Sequence, residues 1–136
     1  MPQLIGIDYG SKRTGLAATD DMKIIASPLE TVATNQLIPF LKDYMVFNKV
    51  EAFVVGEPKR LHGAPSEIEE EIKKFTTKLV TSFPSIEVHR VDERFTSKMA
   101  FDTMIASGIS KKKRQDKGMI DKISAAIILQ DFLKTV

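Results

Sequence analysis

The sequence contains no cysteine, which excludes disulfides and thiolate-bound metals outright. It has two histidines, His62 and His89, too few for a histidine-built zinc centre. The start, Met1-Pro2-Gln3-Leu4, lacks the basic and long apolar regions of a signal peptide. No apolar run approaches the roughly 20 residues needed to span a bilayer, so no membrane role and a cytoplasmic location are expected. An excess of one charge is also missing. Lys and Arg total 20 against 18 Asp and Glu, and the formal net charge of +2 is too small to establish a nucleic-acid partner. Neither a Walker phosphate loop nor a Gly-x-Ser-x-Gly elbow occurs, so nucleophile-based chemistry has no support. Repeats, low-complexity tracts and linkers are absent as well.

What is present suits one folded unit. The 136 residues, 43% hydrophobic and 28% charged, bury a core without staples and fit a single domain over residues 1–136. Residues 4–8 read as a short buried strand, Gly10-Ser11-Lys12-Arg13 as a turn, and residues 15–18 as a second strand. Residues 24–32 read as a third strand, where Pro28 suits a sheet edge. Between residues 35 and 48, Leu37, Ile38, Leu41, Met45 and Val46 recur at helical spacing. Pro39 falls in the first turn of that helix, where a missing N–H costs least. Ala52-Phe53-Val54-Val55 predicts a strand buried on both faces, closed by Gly56-Glu57-Pro58. Ser66 with Glu69 is a capping-box signature for a helix to about residue 80. Residues 86–91 predict another strand, 97–106 a short helix ended by Gly108, and 119–133 a mostly apolar helix. Three leading strands followed by strand–helix alternation imply an α/β fold with one mixed sheet and helices on its faces.

The candidate functional residues are acids at element ends. Asp8 closes the first strand, which should be central, and a carboxylate there is expensive to bury without a cation or hydrogen bonds. It is either part of a site or a turn aspartate bonding the backbone near Gly10. Asp121 falls in the first turn of the last helix, where macrodipole stabilisation is the plain reading. The small Ala125-Ala126 pair would let that helix approach the sheet and carry Asp121 over the end of the first strand. Asp92-Glu93-Arg94 ends the 86–91 strand. Adjacent residues point to opposite faces, so one of the two acids faces the site, and Arg94 pairs with an acid or holds a phosphate. Thr96-Ser97 caps the next helix or donates to a phosphate. Glu57 is a fourth strand-end acid, a metal ligand or a plain loop carboxylate.

Carboxylates converging without histidine or cysteine suit a hard cation, Mg²⁺ or Mn²⁺. Two such ions about 4 Å apart would serve phosphodiester hydrolysis. The run Glu69-Glu70-Glu71 reads as a solvated helix face with Lys73 and Lys74 as partners, and is given no role. Lys111-Lys112-Lys113-Arg114-Gln115-Asp116-Lys117 is a concentrated basic loop, either a phosphate clamp or a solvated connector.

Four segments together resemble the YqgF (RuvX-like) family, whose members carry the names pre-16S ribosomal RNA nuclease and Holliday junction resolvase. They are Gly6-Ile7-Asp8-Tyr9-Gly10-Ser11-Lys12-Arg13-Thr14-Gly15, Val54-Val55-Gly56-Glu57-Pro58 with Gly63, Asp92-Glu93-Arg94-Phe95-Thr96-Ser97, and Asp121-Lys122-Ile123-Ser124-Ala125-Ala126. They stand in the family's order and cover nearly the whole chain. The resemblance implies a ribonuclease H-like fold with a five-stranded sheet, the first three strands antiparallel and the later ones parallel to the first. It also implies catalytic and metal-binding roles for Asp8, Glu93 and Asp121.

On that reading Asp8 and Asp121 bind metal directly and Glu93 completes or orients a second metal site. Lys12, Arg13, Arg94, Lys111, Lys112, Lys113 and Arg114 hold phosphates. Structured RNA, at the 5′ end of pre-16S ribosomal RNA, is the implied substrate. A four-way DNA junction is the alternative and calls for a two-fold dimer; monomer and homodimer both stay open. A nucleic-acid binder that has lost cleavage is a third reading. Two departures stand out: Glu57 where many relatives have an apolar residue, and His62 where relatives often have an acid beside the loop glycine.

Overall fold

In this computed structural model, residues 2–20, 22, 25–57, 68–92 and 117–133 are described. The chain opens with strands β1 (Gln3–Asp8), β2 (Arg13–Thr19) and β3 (Ala26–Ala33). A 3₁₀ turn, Thr34–Gln36, leads into helix α1 (Leu37–Phe47), then strand β4 (Val50–Glu57), helix α2 (Glu69–Ser82) and strand β5 (Glu87–Asp92). Helix α3 spans Lys117–Leu133. The sheet order is β3-β2-β1-β4-β5, which makes β1 central. β2 and β3 run antiparallel to their neighbours, whereas β4 is parallel to β1 and β5 to β4, as the family resemblance implies.

Alternation along the strands sorts the core into two layers. Ile5 and Ile7 of β1 and Phe53 and Val55 of β4 pack with Leu37 and Leu41 of α1 and Ile72, Phe75 and Leu79 of α2. Leu4, Ala17, Ala52 and Val54 face the other way and pack under Ala125, Ala126, Ile128 and Leu129 of α3. Helices therefore cover both faces, and β4 is buried on both, as its unbroken apolar run predicts. Pro28 lies on the edge strand, next to a register shift at Leu16 and Ala17. A bulge beside proline twists such an edge away from further pairing. No helix among the described residues is long and apolar enough to cross a membrane.

Three expectations are corrected. Arg13 is the first residue of β2 rather than part of the turn, because its backbone pairs with Ala33 of β3. Helix α3 begins at Lys117, so Asp121 is its fifth residue and lies beyond the first turn, where the macrodipole acts. Ile68 occupies the N-cap of α2 without a side-chain cap. The Glu69 carboxylate is drawn away to Arg90 of β5, with Nη1 to Oε1 at 2.9 Å and Nη2 to Oε2 at 3.2 Å. The acidic run is thus no uniform solvated face. Ser66 and the 97–106 helix lie outside the described residues.

The Glu69–Arg90 fork pins α2 to the sheet, and Arg90 also donates to the carbonyls of Val55 (3.3 Å) and Gly56 (3.0 Å) at the end of β4. The Glu69 side chain is 7% exposed and that of Arg90 25%. Arg90→Met strands a buried carboxylate and should cost about 2–3 kcal/mol in urea unfolding, less than for a fully buried pair because water reaches the arginine. Arg90→Met with Glu69→Leu should restore most of that loss. A double variant no more stable than the single one contradicts this account.

Candidate active site

The site begins where β1 stops. Leu4 and Gly6 face α3, so Asp8, two residues on, shares that face at the carboxyl end of the central strand. Its cross-strand partner in β2 is Gly15. A β-carbon on Gly15 would lie 2.0 Å from the Asp121 carbonyl oxygen and 2.7 Å from the Lys122 nitrogen. Only a residue without a side chain lets the α3 backbone rest there. Gly6 has the same character, with the Ala125 carbonyl oxygen 2.7 Å from its notional β-carbon. These two glycines bring α3 onto the strands and set Asp121 beside the partner of Asp8.

Arg13 lies on the same face as Gly15 and Ala17, and its Nε donates to Asp121 Oδ2 in a close ion pair. The two carboxylates therefore stand at a sheet end that already holds a positive charge. Among the described residues no group of three acids, histidines or cysteines forms a ready metal cage. Glu93 and Arg94 lie outside the described residues, as does the basic run from Lys111 to Arg114.

Asp92 closes β5 in register with Glu57. Glu57 stands two residues beyond Val55, which packs against α1 and α2, so alternation turns it to that face. It shares an end of the sheet with Asp8 but not a face. Lys12 is exposed in the turn between β1 and β2.

That turn is held from two sides by residues the sequence reading passed over. Thr34 Oγ1 donates to the Gly10 carbonyl (2.6 Å), and the Thr34 N–H donates to the Lys12 carbonyl (3.0 Å). With its hydroxyl proton committed, Thr34 Oγ1 accepts from the buried Thr14 hydroxyl at 2.9 Å. On the other side Glu71 accepts from the Tyr9 hydroxyl (3.0 Å) and the Ser11 hydroxyl (2.9 Å). Burial, then the Glu71 carboxylate as bonding partner and as charge, push the Tyr9 phenol up to about 12. It stays a protonated donor throughout the neutral range. The sequence signal for these roles was slight: Tyr9 alternates away from Asp8, and Glu71 is the last of three glutamates.

Among known proteins, the family described as "RuvX: Holliday junction resolvase" matches residues 2–135. A protein of Flavobacterium johnsoniae named "Putative pre-16S rRNA nuclease" is 58% identical over 135 residues, covering 99% of this chain and 98% of that protein. One of Porphyromonas gingivalis with the same name is 50% identical over 133 residues, covering 98% and 96%. Among solved structures, "T. thermophilus RuvC in complex with Holliday junction substrate" aligns with a TM-score of 0.58 at 18% identity. That alignment covers 99% of this chain and 95% of the other, and it is a likeness of fold.

Proposed function

Since the chain belongs to the RuvX family, we propose that it is a divalent-metal-dependent nuclease cutting structured RNA, at the 5′ end of pre-16S ribosomal RNA. One observation carries the chemistry: Gly15 brings the Asp121 backbone against the strand partner of Asp8, on the face where Arg13 already neutralises one acid. Carboxylate oxygens at a sheet end, with no cysteine thiolate in the chain, fit a hard cation. Asp8, Asp121 and Glu93 would hold Mg²⁺ or Mn²⁺, which when bound neutralises phosphate charge and activates water. Arg13 counters Asp121 until the cation arrives, and with Lys12 and Arg94 it meets the substrate backbone. The run from Lys111 to Arg114 adds charge for the flanking phosphates. Glu57 and Asp92 are further acids at the same sheet end, outside the proposed ligand set.

The RNA substrate follows the names of relatives that match along their full length. The DNA-junction reading has the family description in its favour and requires a dimer to space two cuts. A cleavage assay on a pre-16S fragment and on a four-way DNA junction separates them. Expected is Mg²⁺- or Mn²⁺-dependent, EDTA-sensitive cutting of the RNA. Preferential junction cutting by a dimer installs the alternative. Binding without cleavage of either substrate, with or without metal, overturns the nuclease reading.

A further inference from the structure

Across the turn 9–12 from Arg13 and Asp121 lies a cavity of about 520 Å³ that the chemistry above leaves unused. That volume falls in the range of roughly 300–1,000 Å³ common for small-ligand sites. The turn, the entry to α1 and one side of α2 enclose it.

Its lining divides by chemistry. Tyr9, Phe75 and Ile38 supply an apolar wall, the two rings 4.8 Å apart and inclined by 31°. Lys74 and Lys78 stand four residues apart, hence on one side of α2, and add two positive charges. Neither enters an ion pair among the described residues, whereas the adjacent Lys73 is paired with Glu70 at 3.5 Å. Asn35 brings an amide that donates and accepts. The Glu71 carboxylate accepts from the hydroxyls of Tyr9 and Ser11 and so braces the wall, leaving the two lysines to outweigh its one negative charge.

An apolar plate, an amide and a pair of cations correspond to a base, its hydrogen-bonding edge and a phosphate. A free phosphate would leave the apolar wall unused, and a purely apolar ligand would strip water from two lysines without return. Position agrees with this. Tyr9 directly follows Asp8, with about 3.8 Å between their Cα atoms. Alternation sends the two side chains to opposite faces, so a single strand crossing the turn meets both.

We propose that this cavity holds an unpaired nucleotide of the substrate strand, next to the phosphodiester presented to Asp8 and Asp121. The proposal rests on the nuclease reading for its place on the substrate and on the cavity lining for its ligand class. The chain has two tyrosines, Tyr9 and Tyr44, and no tryptophan, so ¹³C-tyrosine labelling gives two sets of ring signals, assigned with Tyr44→Phe. Uridine 5′-monophosphate, uridine and inorganic phosphate are titrated without metal into the parent, Asp8→Asn and Lys74→Ala/Lys78→Ala proteins.

The nucleotide should move the Tyr9 signals and leave those of Tyr44, binding about fivefold or more tighter than uridine or phosphate alone. The double lysine variant should bind about fivefold more weakly with a flatter salt dependence. Its lysines are exposed, so its unfolding midpoint should match the parent's. Asp8→Asn should bind as the parent does. Tyr9 signals unmoved at millimolar nucleotide, or a lysine variant that binds like the parent, overturn the proposal. Cleavage that persists beside such a result leaves the nuclease reading standing. Nucleotide binding by a protein that cuts nothing upholds the cavity and removes the nuclease reading instead.

Discussion

Asp8→Asn should lower metal-dependent cleavage by about a thousandfold or more while the protein stays folded. Such a loss corresponds to about 4 kcal/mol of transition-state stabilisation, since each tenfold in rate is about 1.4 kcal/mol. The change keeps the shape of the side chain and removes its charge. An amide still offers one oxygen to a cation, but without the negative charge that makes a hard dication prefer this sheet end to water. A second readout is independent of turnover. A ligand bound only by the folded state, at a hundred times its dissociation constant, stabilises by about 2.7 kcal/mol. The parent should gain melting temperature with Mg²⁺ or Mn²⁺, and the variant should lose most of that gain. Turnover within tenfold of the parent, together with an undiminished metal-induced shift, removes Asp8 from the chemistry.

Gly15→Ala should be more damaging to the fold than its single methyl suggests. The new carbon would lie 2.0 Å from the Asp121 carbonyl oxygen and 2.2 Å from its carbonyl carbon. Both are backbone atoms in a helix whose neighbours Ile128 and Leu129 are fully buried, so no side chain can turn aside. The helix must lift from β2 or the strand must bend. Overpacking of this kind costs about 1–3 kcal/mol in ordinary cores, and rigid backbone on both sides places Gly15→Ala at or above the top of that range. A fall in melting temperature of roughly 10 °C is expected.

Cleavage should drop further than stability explains, because parting α3 from β2 moves Asp121 relative to Asp8 and to its Arg13 partner on β2. Gly6→Ala provides the gradation. Its nearest contacts are longer, 2.7 Å to the Ala125 carbonyl oxygen and 2.8 Å to the Leu129 Cβ, so a smaller displacement relieves them and it should destabilise less. Equal midpoints for Gly15→Ala and the parent would show that this contact does not hold the helix in place.

The strands were legible because burial writes itself locally. The unbroken apolar run in β4 announced a strand with a helix layer on each side, and Pro28 announced an edge. The Ala125-Ala126 pair announced a helix pressed close to the sheet, though the glycines beneath it, Gly6 and Gly15, had been read only as strand residues. What stayed hidden depends on partners far along the chain. Glu69 carries a capping-box pattern, yet an arginine 21 residues away in β5 takes its carboxylate. Arg13 looked like a turn residue until β3 supplied a pairing partner for its backbone. Asp121 looked like a dipole-stabilising acid until the start of its helix was set at Lys117. Glu57 and Asp8 were expected at one end of the sheet and are there, but the face each takes follows from register, which composition does not report.

The Arg13–Asp121 pair joins residues 108 positions apart. Early in synthesis, β1, β2 and β3 have all they need to pair with one another, for their contacts are local. The second acid arrives only with α3, and domains emerge from the ribosome amino end first. A growing chain therefore displays Asp8 without its counterpart. If the site cuts RNA, its assembly from distant ends keeps it inert until α3 has left the ribosome and docked on the sheet.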